Sequence, residues 1–484
     1  MHFNNEYVDL HCHPSLKPFG KSFNYSPKGI NHPHRSTLRS IWHYDPPTLL
    51  DKLINYIGGL TKFRQSNFTS LALGGVSIVC VSLYPMEKWF VRNKINNELI
   101  ADLLANFALG VGDKRIDFIQ GIKDYFKDLE MQYDFFRQLD GKIIRLNQGL
   151  FKYRLVKNYS QIEEITAKDD ENGNIKTIFV VLSIEGLHVL NTGLKKPLDE
   201  VEILANLEKI KNWDHRPFMI TLAHHFYNDI CGHAESLSGI VKKKTDQSEG
   251  LGTGFTPLGI KVLTRLVDNT DGKRILADIK HMSAKARKEY YTMLDSHQQE
   301  FQDIPVVVSH GACNGLKSSS NRIPGNSAVA TKLNPVDINF FDDEVIRIAK
   351  SKGIIGLQLD ERRIASKQTI KDTKKSVKRN KIMHYRSELL WNQIQHIIEI
   401  LDDENLFAWD CMALGTDFDG IIDPLNGFWT AEELPYLADF LERHVYNYMK
   451  NHNLSKPENI IPADEIVSRI MSSNGKAFLK NNFK

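Results

Sequence analysis

The chain has 484 residues, 42% of them hydrophobic and 25% charged, with a net charge of +3. This composition excludes a mostly disordered, collagenous or disulfide-stapled protein, and the length suffices to bury a large core. Charge is uneven: residues 361–386 hold ten Lys/Arg and two Asp/Glu, a local +8 that leaves the rest at −5, which is not a nucleic-acid-binding composition.

Residues 1–7 show no basic stretch followed by an apolar one. The longest apolar run, residues 71–86, is broken by glycines and serines and is too short for a membrane span. Five cysteines (Cys12, Cys80, Cys231, Cys313 and Cys411) are scattered and never in CxxC spacing. A cytoplasmic protein without membrane or nucleic-acid partners is expected.

Short apolar, β-branched runs mark eight strands at residues 7–10, 77–83, 178–184, 218–222, 275–279, 305–308, 353–359 and 411–415. Several are apolar almost throughout, as in parallel sheets covered on both faces. Helical periodicity lies between them, at residues 95–109, 122–139, 201–211, 258–269, 343–352 and 389–401, with a closing helix at 463–479. Alternating strands and helices predict an α/β fold, a (β/α)8 TIM-like barrel. Such a barrel needs only about 250 residues. Residues 14–65, 87–176 (helical, ending in a turn at 169–174), 225–255 and 361–386 are therefore read as insertions on the active-site face of a single barrel spanning 1–484. The last of these, basic with interleaved Ile, Val and Ser, reads as a solvated amphipathic helix or loose loop.

The residues that follow the strands carry the chemistry. In chain order they are His11-Cys12-His13, Glu185, His224, His281, His310 and Asp417, all at the edge where barrel enzymes keep their active sites. Singly each signal is weak. With 18 histidines, chance alone gives about 0.7 HxH pairs, and a second pair, His32 and His34, lies in a polar Pro-bearing loop with no strand to hold it. The pair at His11 and His13 closes a strand, where alternate side chains share a face. Both imidazoles then point into one pocket, and Cys12 points away as a packing residue. A lone His281 is by default a hydrogen-bonded rim histidine, and a lone Glu185 a solvated loop carboxylate. Jointly, four imidazoles and two carboxylates at one barrel mouth are poorly compensated unless something fills the middle. That donor set suits zinc or another divalent first-row metal.

These residues resemble the membrane dipeptidase (renal dipeptidase-like) family of zinc peptidases, within the amidohydrolase superfamily. The likeness rests on Tyr7-Val-Asp-Leu-His-Cys-His13, on Gly74-Gly-Val-Ser-Ile-Val-Cys-Val-Ser-Leu-Tyr84 and on Ser183-Ile-Glu-Gly-Leu-His188. It continues in Thr221-Leu-Ala-His-His-Phe-Tyr-Asn228, Gly254-Phe-Thr-Pro-Leu-Gly259, Asp278-Ile-Lys-His-Met-Ser283, Pro305-Val-Val-Val-Ser-His310, Asn321-Arg-Ile-Pro324 and Gly415-Thr-Asp-Phe-Asp-Gly420. The resemblance implies a hydrolase that cleaves dipeptides or similar small amides with a metal-bridging hydroxide. It implies two zinc ions: one on His11, His13 and Glu185, the other on Glu185, His281 and His310. Asp417 would sit at the first metal and carry the proton, His224 would touch the substrate carbonyl, and Arg322 would bind a substrate carboxylate. Dimers are common in the family, so a homodimer is an open expectation.

One departure stands out. The family usually has His-x-Asp on the first strand, and here it is His-x-His. The site becomes about one unit more positive, which weakens one metal or favours a more anionic substrate. Four other residues are read as bystanders. Asp419 would fix its loop, His188 and His225 would be structural or in outer contact, and Lys280 would point to the other face from His281. Two alternatives stay open: the same metal site acting on another amide, lactone or ester, and a non-catalytic barrel relative that binds rather than cleaves.

Overall fold

The computed structural model describes residues 6–484 apart from 26–27, 59–60, 92–109, 195–196, 238–241, 244, 297–300, 302, 375–377 and 453. Among the described residues ten strands form one sheet: β1 Tyr7–Cys12, β2 Val76–Leu83, β3 Ile144–Leu146, β4 Gly149–Leu155, β5 Ile175–Glu185, β6 Met219–Thr221, β7 Leu276–Asp278, β8 Val307–Gly311, β9 Ile354–Leu357 and β10 Met412–Leu414. Their order is β2-β1-β10-β9-β8-β7-β6-β5, and β2 also pairs with β5. That last pairing closes an eight-stranded parallel barrel, with Ile78 opposite Phe179 through Leu83 opposite Ile184. All eight expected barrel strands are present, within about three residues of their expected bounds.

Closure follows from composition. β2 (VSIVCVSL) and β8 (VVSHG) are buried almost end to end, because side chains of one face fill the barrel and those of the other meet helices. The helices between strands include Glu200–Lys211, Pro257–Val267, Ala284–Ser296, Asp342–Lys350 and Arg379–Asp403. Four of the five match an expected helix; Ala284–Ser296 is not among the expected ones. The one at Asp342–Lys350 starts on three acidic residues and ends on Arg347 and Lys350, which complements its dipole. The closing segment is Ala463–Ser468, a π-helical turn Arg469–Ser473, and Asn474–Asn482. It packs on β1 and β10. The helix expected at 95–109 lies outside the described residues.

Two insertions differ from expectation. Residues 87–176 are not only helical: β3 and β4 form a hairpin, and β4 runs parallel to the first half of β5. In β4, Phe151, Tyr153 and Leu155 are buried and Lys152 and Arg154 partly exposed, a period of two that a buried helix would not give. Tyr153 stacks on Phe68 with ring centroids 4.4 Å apart. The turn expected at 169–174 is shorter, since the helix Tyr159–Asn172 continues to a left-handed cap at Gly173. The basic segment is solvated in its middle, as expected, where Lys367–Asp372 buries no residue, but its ends are not. It begins in a short helix, Glu361–Ile364, continues in Lys367–Asp372 and then enters Arg379–Asp403. Its ends are tied inside by a buried ion pair, Arg386 to Glu361 at 2.6 Å. No described helix is long and apolar enough to cross a membrane.

Candidate metal centre

Glu185 ends β5 and stands at the middle of the barrel mouth. Its Oε1 lies 3.6 Å from His11 Nε2, 3.4 Å from His281 Nε2, 3.7 Å from His310 Nε2 and 3.5 Å from His224 Nε2. Its Oε2 lies 3.1 Å from His13 Nε2. Asp417 closes the ring: Oδ1 is 3.9 Å from His11 Nε2 and 3.7 Å from His13 Nε2, and Oδ2 is 3.8 Å from His310 Nε2. Seven of the eight residues expected in the site thus converge, all of them buried.

The local backbone explains the aim of each side chain. At β1 the chain stays extended, so His11 and His13 share a face, with Nε2 atoms 3.1 Å apart. Cys12 is fully buried in the hydrophobic core, as expected. Gly186 follows Glu185 at φ +95°, and a Cβ there would strike His188 Nδ1 at 2.4 Å and crowd His224 at 3.1 Å. Glycine is required at that turn. Past β7 and β10 the chain turns left-handed, at His281 (φ +66°) and Asp417 (φ +58°). Two buried carboxylates brace these ends. Asp9 accepts from Thr416 N, Thr416 Oγ1 and His11 N. Asp278 accepts from Thr221 Oγ1, from Ser309 N and Oγ, and from Lys280 N.

The donor set fits a divalent metal. A tetrahedral ion with bonds of about 2.0–2.1 Å needs ligand atoms about 3.4 Å apart, and the distances around Glu185 bracket that value. The Nδ1 atoms of His11, His13 and His281 are buried without hydrogen-bond partners, whereas His310 Nδ1 meets Ser309 Oγ at 3.0 Å. Among the described residues three triads are close enough to hold an ion: His11, Glu185 and His310; His11, His13 and Asp417, which shares His11 with the first; and, separately, His224, His225 and His281. Charge is polarised across the ring. Burial alone would raise Glu185, but His224, His11 and His13 outweigh it and hold its carboxyl well below the usual range. Burial, with Glu185 adding to it, pushes Asp417 up to about 8.

Sequence reasoning missed Glu87, four residues past β2. Its buried carboxylate meets His224 Nδ1 at 2.9 and 3.1 Å, accepts from His225 N and is bonded by Tyr84 Oη. It thereby turns His224 Nε2 toward Glu185. Nothing in the local pattern marks this lone carboxylate. Asp419 does fix its loop: it accepts from Lys17 Nζ and from the backbone of Gln65 and Ser66. His188 Nε2 bonds Pro85 O. His225 is closer to the centre than expected, its ring 3.8 Å from that of His224 and 5.2 Å from that of His281.

Two residues stand elsewhere than expected. Arg322 is an exposed residue paired with Asp337 at 2.6 Å and does not line the pocket over the metal donors. Lys280 was expected on the opposite face from His281, yet both line that pocket. The left-handed backbone at His281 breaks the alternation on which the expectation rested. Lys280 is buried, and its Nζ donates to Gln358 Oε1 at 3.3 Å. Burial and the neighbouring Arg363 push its ammonium down to about 8. The pocket itself holds about 70 Å³ and is lined also by Arg362 and Arg363 from the basic segment. It is far below the roughly 300–1,000 Å³ of pockets for drug-sized ligands, so it suits a small substrate.

A parallel barrel whose strand ends pool imidazoles and carboxylates in this way belongs to the metal-site class of barrel proteins. The chain belongs to the membrane dipeptidase family, peptidase family M19, whose model matches residues 43–456. It is a hydrolase of that family's type. No curated protein matches the sequence. Among solved structures, the chain is similar to the metallopeptidase dipeptidase AC, at 12% identity and a TM-score of 0.51, covering 99% of each chain. It is also similar to a metallopeptidase from Rhodobacter sphaeroides liganded with a phosphinate mimic of the dipeptide L-Ala-D-Ala. That match has 12% identity and a TM-score of 0.48, and covers 99% of this chain and 100% of that one. At such identity the likeness to dipeptidase AC is one of fold.

Proposed function

We propose that this chain is a dinuclear zinc-type dipeptidase, cleaving dipeptides or closely similar small amides. One observation carries the reading: a single carboxylate, Glu185, is shared between the His11/His13 pair and the His281/His310 pair. In this reading His11, His13, Glu185 and Asp417 hold one ion, and Glu185, His281 and His310 the other. Bound there, zinc supplies Lewis acidity, which makes water nucleophilic near neutral pH and polarises a carbonyl.

The remaining steps fall to the chain's own residues. Gln358 Nε2 donates to Asp417 Oδ2 at 2.8 Å, which fixes the carboxylate with Oδ1 toward His11 and His13. Asp417 takes the proton of the attacking water and returns it to the leaving amine nitrogen. His224, held by Glu87, presents Nε2 to the carbonyl oxygen as negative charge develops there. Burial of the whole ring strengthens each of these interactions.

The first test is zinc per chain by elemental analysis, on protein purified without chelator or affinity nickel. Two per chain, with hydrolysis in a dipeptide panel, is expected. None after zinc is added back would overturn the reading. Asp417→Asn should keep the fold but lose at least about 100-fold in kcat, the usual scale for a general base. Near-wild-type turnover in that variant would reject its proton-carrying role.

A further inference from the structure

Beside the metal donors, the same pocket holds two cations that form no ion pair with a carboxylate of the described residues. Lys280 Nζ is 1% exposed by residue and meets only Gln358 Oε1. Among the described residues no carboxylate lies within ion-pair distance of it. Asp417 and Glu185 act on it from farther away and belong to the metal donor set, while Asp278 is taken up by Thr221 and Ser309. Arg363 is in a similar position. Its guanidinium donates to Ser236 O, its backbone N–H to Asp360 O, and among the described residues no carboxylate forms an ion pair with it, Asp360 and Asp417 acting only from farther away. The adjacent Arg362 shows the contrast, being neutralised by Asp360 through Nε at 3.0 Å and Nη2 at 2.8 Å.

A buried ammonium without a counter-charge is costly. At residue 280 the side chain lines the pocket. Its place in the reaction is set by Gln358, which accepts from Lys280 and donates to Asp417 Oδ2. Lys280 therefore stands one side chain away from the group that delivers a proton to the leaving amine. An anion held there belongs to the leaving part of the substrate.

Resting on the dipeptidase reading above, we propose that Lys280 and Arg363 together bind the carboxylate of the amino acid that leaves as the amine. They do so where the sequence pointed to Arg322. Lys280 offers a compact point charge and Arg363 a planar fork, a pairing that can grip both oxygens of one carboxylate. The substrate is then an amide with a free carboxylate on its amine-side residue, and a C-terminal amide is a poor substitute.

The test compares alanylalanine with alanylalaninamide on the zinc-loaded enzyme. Wild type should favour the acid about 10- to 100-fold in kcat/KM, the range for a hydrogen bond to a charged group. Lys280→Met and Arg363→Met should each raise KM for the acid by about that factor, change kcat much less, and leave the amide nearly unaffected. Arg363→Lys should recover part of the loss. Arg363 is partly exposed, so its variants keep the test valid if Lys280→Met folds poorly. Equal use of acid and amide by wild type, or variants that keep the preference, would overturn the proposal. If wild type cleaves neither compound, the dipeptidase reading fails. The carboxylate subsite is then judged by calorimetric binding of N-acetylalanine against N-acetylalaninamide. Tighter binding of the acid, lost in both variants, supports it; equal binding overturns it.

Discussion

The strand ends deliver their side chains to the barrel mouth in two ways. At β1 no residue takes a positive φ, and although the register against β2 shifts between Asp9 and Cys12, His11 and His13 share one face. Past β7 and β10 the regular strand stops early, and His281 and Asp417 are presented from left-handed backbone. The extended end carries no conformational cost, but it can place only every second residue. The left-handed ends cost about 1–3 kcal/mol each for non-glycine residues and release the chain from alternation. That freedom lets two consecutive residues, Lys280 and His281, reach the same pocket. Regular strand supplies the paired imidazoles, and strained strand ends supply the mixed chemistry around them.

Glu185 joins the two kinds of strand end, so its removal should have the largest effect. Glu185→Ala takes away the one carboxylate that touches His11, His13, His281 and His310. We expect zinc content after dialysis to fall below one per chain. Activity should fall at least about 1000-fold, well beyond the roughly 10–100-fold of changes outside the ligand set. Retention of one tightly held zinc would show that one half of the ring is a complete site by itself, and would sharpen the contrast into a strong and a weak metal position.

The barrel was legible because its strands are apolar on both faces and because six chemistry-bearing segments follow them. The positions of His11, His13, Glu185, His224, His281, His310 and Asp417 all follow from that pattern. The hairpin β3–β4 was hidden within a long insertion, although the alternation of Phe151, Tyr153 and Leu155 carries its signal. Lys280 could not be placed, since a period of two holds only while the backbone is extended, and no sequence pattern marks His281 as left-handed. Glu87 and Arg363 were silent for a related reason. Each lies in an insertion, and reaches the site through a long-range contact that no local period encodes.

The buried braces should give intermediate effects, confined to their own ends. Asp9→Ala leaves the donors of Thr416 and His11 without their acceptor, and Asp278→Ala does so to Thr221, Ser309 and Lys280. Each should cost about 1–3 kcal/mol of stability in denaturant unfolding. Zinc titration should show a loss of about 10–100-fold in affinity for one metal. For Asp9→Ala it is the metal on His11, His13 and Asp417; for Asp278→Ala it is the one on His281 and His310. Equal weakening of both metals in either variant would mean that the two ends do not act separately.

The smallest effect isolates the backbone. Val is β-branched, comfortable in a strand and poorly suited to positive φ. His13→Val and Asp417→Val each remove one donor from the ring, but only the second forces Val into φ near +58°. Asp417→Asn provides the reference, because Asn tolerates the left-handed region. In zinc-free buffer, Asp417→Val should therefore be about 1–3 kcal/mol less stable than Asp417→Asn. His13→Val should show no such extra loss against His13→Asn, since β-branched residues are favoured in extended chain. If the two comparisons give the same difference, the left-handed end relaxes at little cost. The barrel mouth would then be a softer frame than its buried hydrogen bonds indicate.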